Sequence, residues 1–422
     1  MKLFFELLQV AIGRREQLSE CPTEVQWQQI YDICRKQALT GIGWYAIEKL
    51  PKEQRPHEEL LFLWMGMAQK IVATNELVID AARKVTKKLQ RDGFDCCILK
   101  GAGNIVYYNG NGNDNDNVNF REYDQKVLPD VAPAGRTKNF GSIEKINEVN
   151  EKENDKNNKR STLHSTPSTV HSETGLGMYR SAGDVDVWMI PREGQDVIKY
   201  AKQAAKERGE EKPVVTYLHT NLPKYKGIEV EAHFRPAYMN SPIFNRRTLK
   251  WQNENAGEQM RNMCEFGFPI PTAEFNIVYQ LNHVFRHLIK TGVGLRQMLD
   301  YYMVVRAYKA KCPNKDAMST LKYLGLDKFA AAMMYVMQEV FAMDDKLLLC
   351  KPNKKSGEIL LKEIILSGNF GKHDERRMSQ KGLIPLSLNI LAHDMRIMRA
   401  FPMEVISDPF FRVYHKFWQL FH

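Results

Sequence analysis

Two short segments carry residue types able to hold a phosphorylated ligand and a cation. One is Leu99-Lys100-Gly101-Ala102-Gly103; the other is Arg180-Ser181-Ala182-Gly183-Asp184-Val185-Asp186-Val187-Trp188, beyond a polar stretch. Phe94-Asp95-Cys96-Cys97-Ile98-Leu99 is a short, mostly apolar run ending at Lys100-Gly101, the pattern of a buried strand that delivers a turn and a helix start. Backbone amides at such a turn can hold phosphate. Strand alternation puts Asp184 and Asp186 on one face, with Val185, Val187 and Met189 on the other. Two carboxylates so close repel unless a cation lies between them. A third run, Gly227-Ile228-Glu229-Val230-Glu231-Ala232-His233-Phe234, gives Glu229, Glu231 and His233 a common face and supplies a further acid. Three strand-borne acids suit two divalent ions. Spacing alone does not separate Glu231 from Glu229 as the third acid, and His233 reads as a structural imidazole or one supporting the acids, with metal ligation the alternative.

These residues need a small sheet with helices around it. From about Phe4 to Lys88 the apolar positions recur at helical spacing, with Pro51 and Pro56 marking a connection. This lead-in is expected to pack on the sheet, the alternative being that it positions an acceptor. Asp196–Arg208 reads as a helix and Pro213–His219 as a strand. From Thr272 onward helices dominate, with Thr272 as N-cap and Glu274 well placed in the first turn. His283 and His287, four apart on one helix face, have a metal-binding spacing, but Val284 stands where a zinc-protease glutamate would be; a structural or acceptor-facing pair is expected. Arg296 and Asp300 are also four apart, so Arg296 either contacts nucleotide or acceptor or pairs with Asp300. The Met-rich stretch Leu321–Met343 reads as core. The aromatic segment Phe410–Phe421 reads as an amphipathic helix docked on the helical region; left exposed, it would suit lipid or a partner.

The stretch from Asn109 to Met178 is poor in apolar residues and is expected to be disordered, because it cannot bury enough surface to offset its ordering entropy. Asp114 and Asp116 have the alternation of a calcium loop but lack its terminal glutamate. The insert leaves near the phosphate turn and returns before Arg180, which suits either a lid or a neutral insertion. The fold class that follows is α+β: a helical lead-in (1–90), a small mixed sheet (91–108 and 179–270) interrupted by the insert (109–178), and a C-terminal helical region (271–422).

A hydrophobic share of 43% over 422 residues can furnish a sizeable core. The net charge of +10 favours an anionic ligand or an acidic partner, without any convincing RNA-binding or helix-turn-helix signature. The seven cysteines are scattered, and their odd number gives no disulfide framework, so the reducing cytoplasm is the expected setting. The first residues read as an amphipathic helix rather than a signal or transmembrane segment.

The ordered series of strand, Leu99-Lys100-Gly101, helix, Arg180-x-x-Gly183-Asp184-x-Asp186 strand and Glu231-x-His233 strand resembles the largely uncharacterised bacterial nucleotidyltransferases of the DNA polymerase β-like superfamily. The similarity continues through Phe275–His287 and Gly292–Asp300, covering most of the chain outside the insert. The resemblance implies an NTP substrate bound at the strand-turn-helix and Mg²⁺ (or Mn²⁺) held by Asp184, Asp186 and Glu231. It favours Glu231 over Glu229 and gives Glu231 a part in activating an acceptor hydroxyl, as base or by orienting it. Lys100, Gly101, Ala102, Arg180, Ser181 and Arg296 are then the candidate nucleotide-binding residues, Arg180 because a guanidinium matches phosphate oxygens. Ala102 departs from the superfamily, which places Gly or Ser there. The implied activity is transfer of a nucleoside monophosphate to an unidentified small molecule, protein or RNA. A non-catalytic nucleotide-binding or interaction protein is the alternative, and a nucleic-acid-directed transferase a third reading, whose mark would be steeply salt-dependent RNA binding.

Overall fold

The alternating runs assemble into one four-stranded mixed sheet: β1 (Phe94–Ile98), β2 (Val185–Pro191), β3 (His219–Tyr225) and β4 (Ile228–His233). The computed structural model describes residues 1–108, 175–371 and 392–421. Most of the polar insert, Asp114 and Asp116 included, lies outside the described residues. The spatial order is β1-β2-β4-β3, with β2 and β4 parallel and the outer pairs antiparallel.

The strand expected at Pro213–His219 begins instead at His219, because the pairing is set by the turn that follows. Lys226 and Gly227 both have positive φ (47° and 82°), the backbone of a tight hairpin turn joining β3 to β4. Pro223 is tolerated because β3 is an edge strand.

Helices α1 (Lys2–Ala11), α2 (Glu24–Lys36), α3 (Thr40–Lys49) and α4 (Glu58–Arg91) precede the sheet. Thr23 starts α2 with a capping box completed by Gln26. The long α4 serves two cores. Its first half buries Leu60, Trp64 and Ala68 among the helices, and its second half lays Val78, Ala82 and Leu89 on the sheet face formed by Val185, Val187 and Val230. So only the end of the lead-in packs on the sheet; α1–α3 join the C-terminal helices in one apolar cluster. A single turn, α5 (Ala102–Ile105), follows β1, and α6 (Val197–Glu207), capped by Asp196, follows β2.

Beyond the sheet come α7 (Pro242–Gln259), α8 (Ala273–Lys290), α9 (Leu295–Lys311), α10 (Ala317–Tyr323), α11 (Asp327–Phe341), α12 (Lys354–Ser367) and α13 (Pro402–Leu420). The Thr272 side chain accepts from Phe275 N to cap α8. Met333, Met334 and Met337 on α11 are buried in the helical core. The C-terminal helix α13 docks largely on the sheet region. Phe411 stacks on Tyr238, and Trp418 on Phe234, while Phe410, Phe417 and Leu420 remain exposed. Among the described residues, no helix is long and apolar enough to cross a membrane.

Candidate active site

The turn after β1 is fixed by close backbone packing. Leu99 N donates to Asp186 O at 2.9 Å. Gly101 has φ 64°, and a Cβ there would lie 2.8 Å from the Asp184 carbonyl oxygen; a Cβ at Gly103 would lie 2.7 Å from Ile98 O. Both glycines are therefore steric requirements for laying the turn against the Asp184 strand. Ala102 faces the core at 1% exposure, so its methyl packs under the sheet.

The acids follow from strand register. Asp186 pairs with Glu231 across the parallel β2–β4 ladder, which puts both carboxylates on one face, and Asp184 stands exposed at the entrance to β2. Partial shielding of its carboxyl from water by the surrounding protein, then the neighbouring Asp186 charge, pushes Asp184 up, with Lys100 opposing. Lys100 Nζ lies 2.8 Å from Asp186 Oδ1. His233 Nε2 lies 3.0 Å from the same oxygen and 3.2 Å from Glu231 Oε2. Burial alone would push Glu231 up, but the His219 and His233 imidazoles beside it outweigh burial and hold it far below the ordinary carboxylate range. Burial alone would lower His233; its bonds to Asp186 and Glu231 raise it instead. Glu229 is exposed and pairs with Lys224 at 2.8 Å.

Two groups that sequence reasoning passed over belong to this face. His219 is the cross-strand partner of His233, and its Nδ1 lies 2.7 Å from Glu231 Oε2. The signal was the hairpin turn, which, once read, puts His219 opposite His233. Tyr279 on α8 is buried, its hydroxyl without a hydrogen-bond partner among the described residues, and Asp186 adds to the burial that pushes it well up. It continues along α8 into His283 and His287, whose rings are 4.4 Å apart. Burial holds both imidazoles well below their ordinary value, with the Lys100 and Arg286 charges adding to it, so both are neutral near pH 7.

Arg180 lies in a buried bidentate ion pair: Nε donates to Asp300 Oδ1 at 2.6 Å and Nη2 to Oδ2 at 2.7 Å. Its remaining Nη1 donates to Ser181 O, and the Tyr108 hydroxyl donates to Asp300 Oδ1 at 2.6 Å. Asp300 thus reaches across the fold to Arg180, while Arg296 donates to the carbonyls of Ser181 and Ala182. The Ser181 hydroxyl donates to Ala38 O at 2.7 Å. Arg180, Ser181 and Arg296 therefore tie segment 180–183 to the helices around it.

A cavity of about 900 Å³ opens farther along the sheet, lined by Trp188, Phe234, Arg235 and Trp418 among others. None of the three acids lines it, so donor geometry rather than cavity size locates the chemistry.

A short strand-turn-helix laid against an Asp-x-Asp strand, with a third acid on the adjacent parallel strand, is the arrangement of a nucleotidyltransferase. The chain belongs to a family of uncharacterised nucleotidyltransferases, which matches residues 23–110 and 175–342. No curated protein and no solved structure matches it. Nucleotidyltransferases generally use divalent metals, and the donor set here, two adjacent carboxylates with a third at the mouth, is chemically suited to one.

Proposed function

We propose that this protein transfers a nucleoside monophosphate from an NTP to an acceptor hydroxyl, releasing pyrophosphate in a metal-dependent reaction. The observation that carries this reading is the meeting of opposite tools at one point. The Gly101 turn, with amides suited to anions, abuts the Asp184 carbonyl, and Asp184, Asp186 and Glu231 gather beside it. Asp184, Asp186 and Glu231 would hold Mg²⁺ or Mn²⁺, which when bound supplies charge neutralisation on the triphosphate and alignment of the attacking and leaving oxygens. Lys100 and the amides of Gly101 and Ala102 contact phosphate. Glu231, between His219 and His233, holds the cation and either takes the acceptor proton or orients the hydroxyl on the metal. Arg180, Ser181 and Arg296 act on the nucleotide indirectly, by fixing segment 180–183 in front of Asp184.

Calorimetric titration of the four NTPs with and without Mg²⁺ tests the reading. Wild-type protein is expected to bind an NTP only with the metal, and an Asp184→Asn/Asp186→Asn variant to lose that binding. Binding indifferent to both aspartates would favour a protein that keeps the fold without the reaction.

A further inference from the structure

We propose that His219, Glu231 and His233 form an imidazole–carboxylate site for a first-row transition-metal dication, so that one metal position of this centre takes nitrogen ligands and selects against Mg²⁺. The inference rests on reading the acids as a metal centre, but not on any nucleotide. The three side chains each offer one donor atom, all within 4.8 Å of one another. They come from rigid neighbours: Glu231 and His233 alternate along β4, and His219 stands opposite His233 on β3. The His219 Nδ1 to Glu231 Oε2 separation is 2.7 Å, and that from His233 Nε2 to the same oxygen is 3.2 Å. Donors around a tetrahedral ion with bonds of about 2.0–2.2 Å lie about 3.3 Å apart, so small side-chain adjustments bring these atoms to coordination distance. Asp186 Oδ1, 3.0 Å from His233 Nε2, offers a further oxygen beside the cluster.

A second observation points the same way. His219 Nδ1 and His233 Nε2 both approach the same Glu231 Oε2, at 2.7 and 3.2 Å, so two ring nitrogens converge on one carboxylate oxygen. Ring nitrogens that can give up their protons to an incoming cation beside a carboxylate are the disposition of a ligand set. Mg²⁺ takes oxygen donors in a strict octahedron and keeps its waters, whereas imidazole suits Zn²⁺, Co²⁺ and their neighbours. Two imidazoles in one donor set therefore tip the selection.

The test is titration of metal-free, full-length protein with Co²⁺ alone, followed by its ligand-field absorption. One ion per chain is expected, with visible bands that survive about a hundredfold excess of Mg²⁺. His219→Ala should weaken Co²⁺ binding at least about tenfold while the metal-free protein melts as wild type does. Glu229→Gln, on the same face but paired with Lys224, should leave Co²⁺ binding unchanged. Displacement by Mg²⁺ at equal concentration, unchanged affinity in His219→Ala, or thiolate charge-transfer bands from a cysteine site such as exposed Cys21 would each overturn the proposal. Imidazole-dependent Co²⁺ binding without NTP binding would keep this site and sink the transferase reading; Mg²⁺-dependent NTP binding without Co²⁺ selectivity would do the reverse.

Discussion

Replacing Asp300 by alanine should destabilise the protein without touching the acid cluster. Asp300 and Arg180 are each 4% exposed, and the carboxylate receives two guanidinium bonds and the Tyr108 hydroxyl. Burial alone would push Asp300 up, but Arg180 outweighs it and holds it below its ordinary value. Deleting the carboxylate leaves a guanidinium buried without its counter-charge, which costs about 3–5 kcal/mol. For a chain of this size that corresponds to a fall in melting temperature on the order of 3–6 °C. Removing both charges, as in Arg180→Met/Asp300→Leu, should recover most of the loss, because the desolvation cost of the pair disappears with it. The double-mutant coupling should then be at least about 2 kcal/mol. Thermal melts of wild type, Arg180→Met, Asp300→Leu and the double variant give the cycle, and NTP titrations on the same samples report the site. If Arg180→Met melts within about 0.5 kcal/mol of wild type and yet loses NTP binding, the guanidinium serves substrate and the structural assignment fails.

Gly101→Ala should cost about 2 kcal/mol in thermal unfolding, since it forces a side chain to φ 64° and sets a Cβ 2.8 Å from the Asp184 carbonyl; wild-type stability would contradict the close approach. Trp188→Ala, removing a ring 3% exposed and stacked on Phe275 at 5.6 Å, should cost about 3–5 kcal/mol, measured the same way. Burial pushes Glu404 up to about 7 from its ordinary 4.5, against the bonds its carboxylate accepts from Asn240 N and Ser241 N, with Asp408 adding to the rise. Its contribution to docking α13 is therefore fully present below pH 4.5 and lost as pH rises through about 7, worth about 3 kcal/mol in all. Hydrogen exchange in 402–420 should accelerate over that window, and Glu404→Gln should flatten the response; a pH dependence that survives the substitution would refute it.

Much of the sheet was legible because its signals are local. Alternation fixed the common face of Asp184 and Asp186 and that of Glu231 and His233, and apolar content marked Phe94–Ile98 as a buried strand. The parallel pairing that sets Asp186 beside Glu231 joins residues 45 positions apart, and no local pattern encodes it. The position of β3 was misread because Val214 and Val215 look like a strand, while the Lys226-Gly227 turn governs the register. Arg180 shows the limit most clearly. Beside an Asp-x-Asp strand a guanidinium suggests phosphate, but its partner is Asp300, 120 residues on, and only tertiary packing brings them together.

Nucleotidyl and phosphoryl transfer differ in the bond that breaks. The direct measurement incubates the protein with divalent metal, each NTP and a cell extract as acceptor source, and follows pyrophosphate and inorganic phosphate separately. One pyrophosphate per NTP consumed is expected, with the α-phosphate label passing to acceptor, and loss of both in Asp184→Asn and in an Asp186→Asn protein that melts as wild type does. Release of inorganic phosphate in place of pyrophosphate, or pyrophosphate release indifferent to both aspartates, would contradict nucleotidyl transfer at this site.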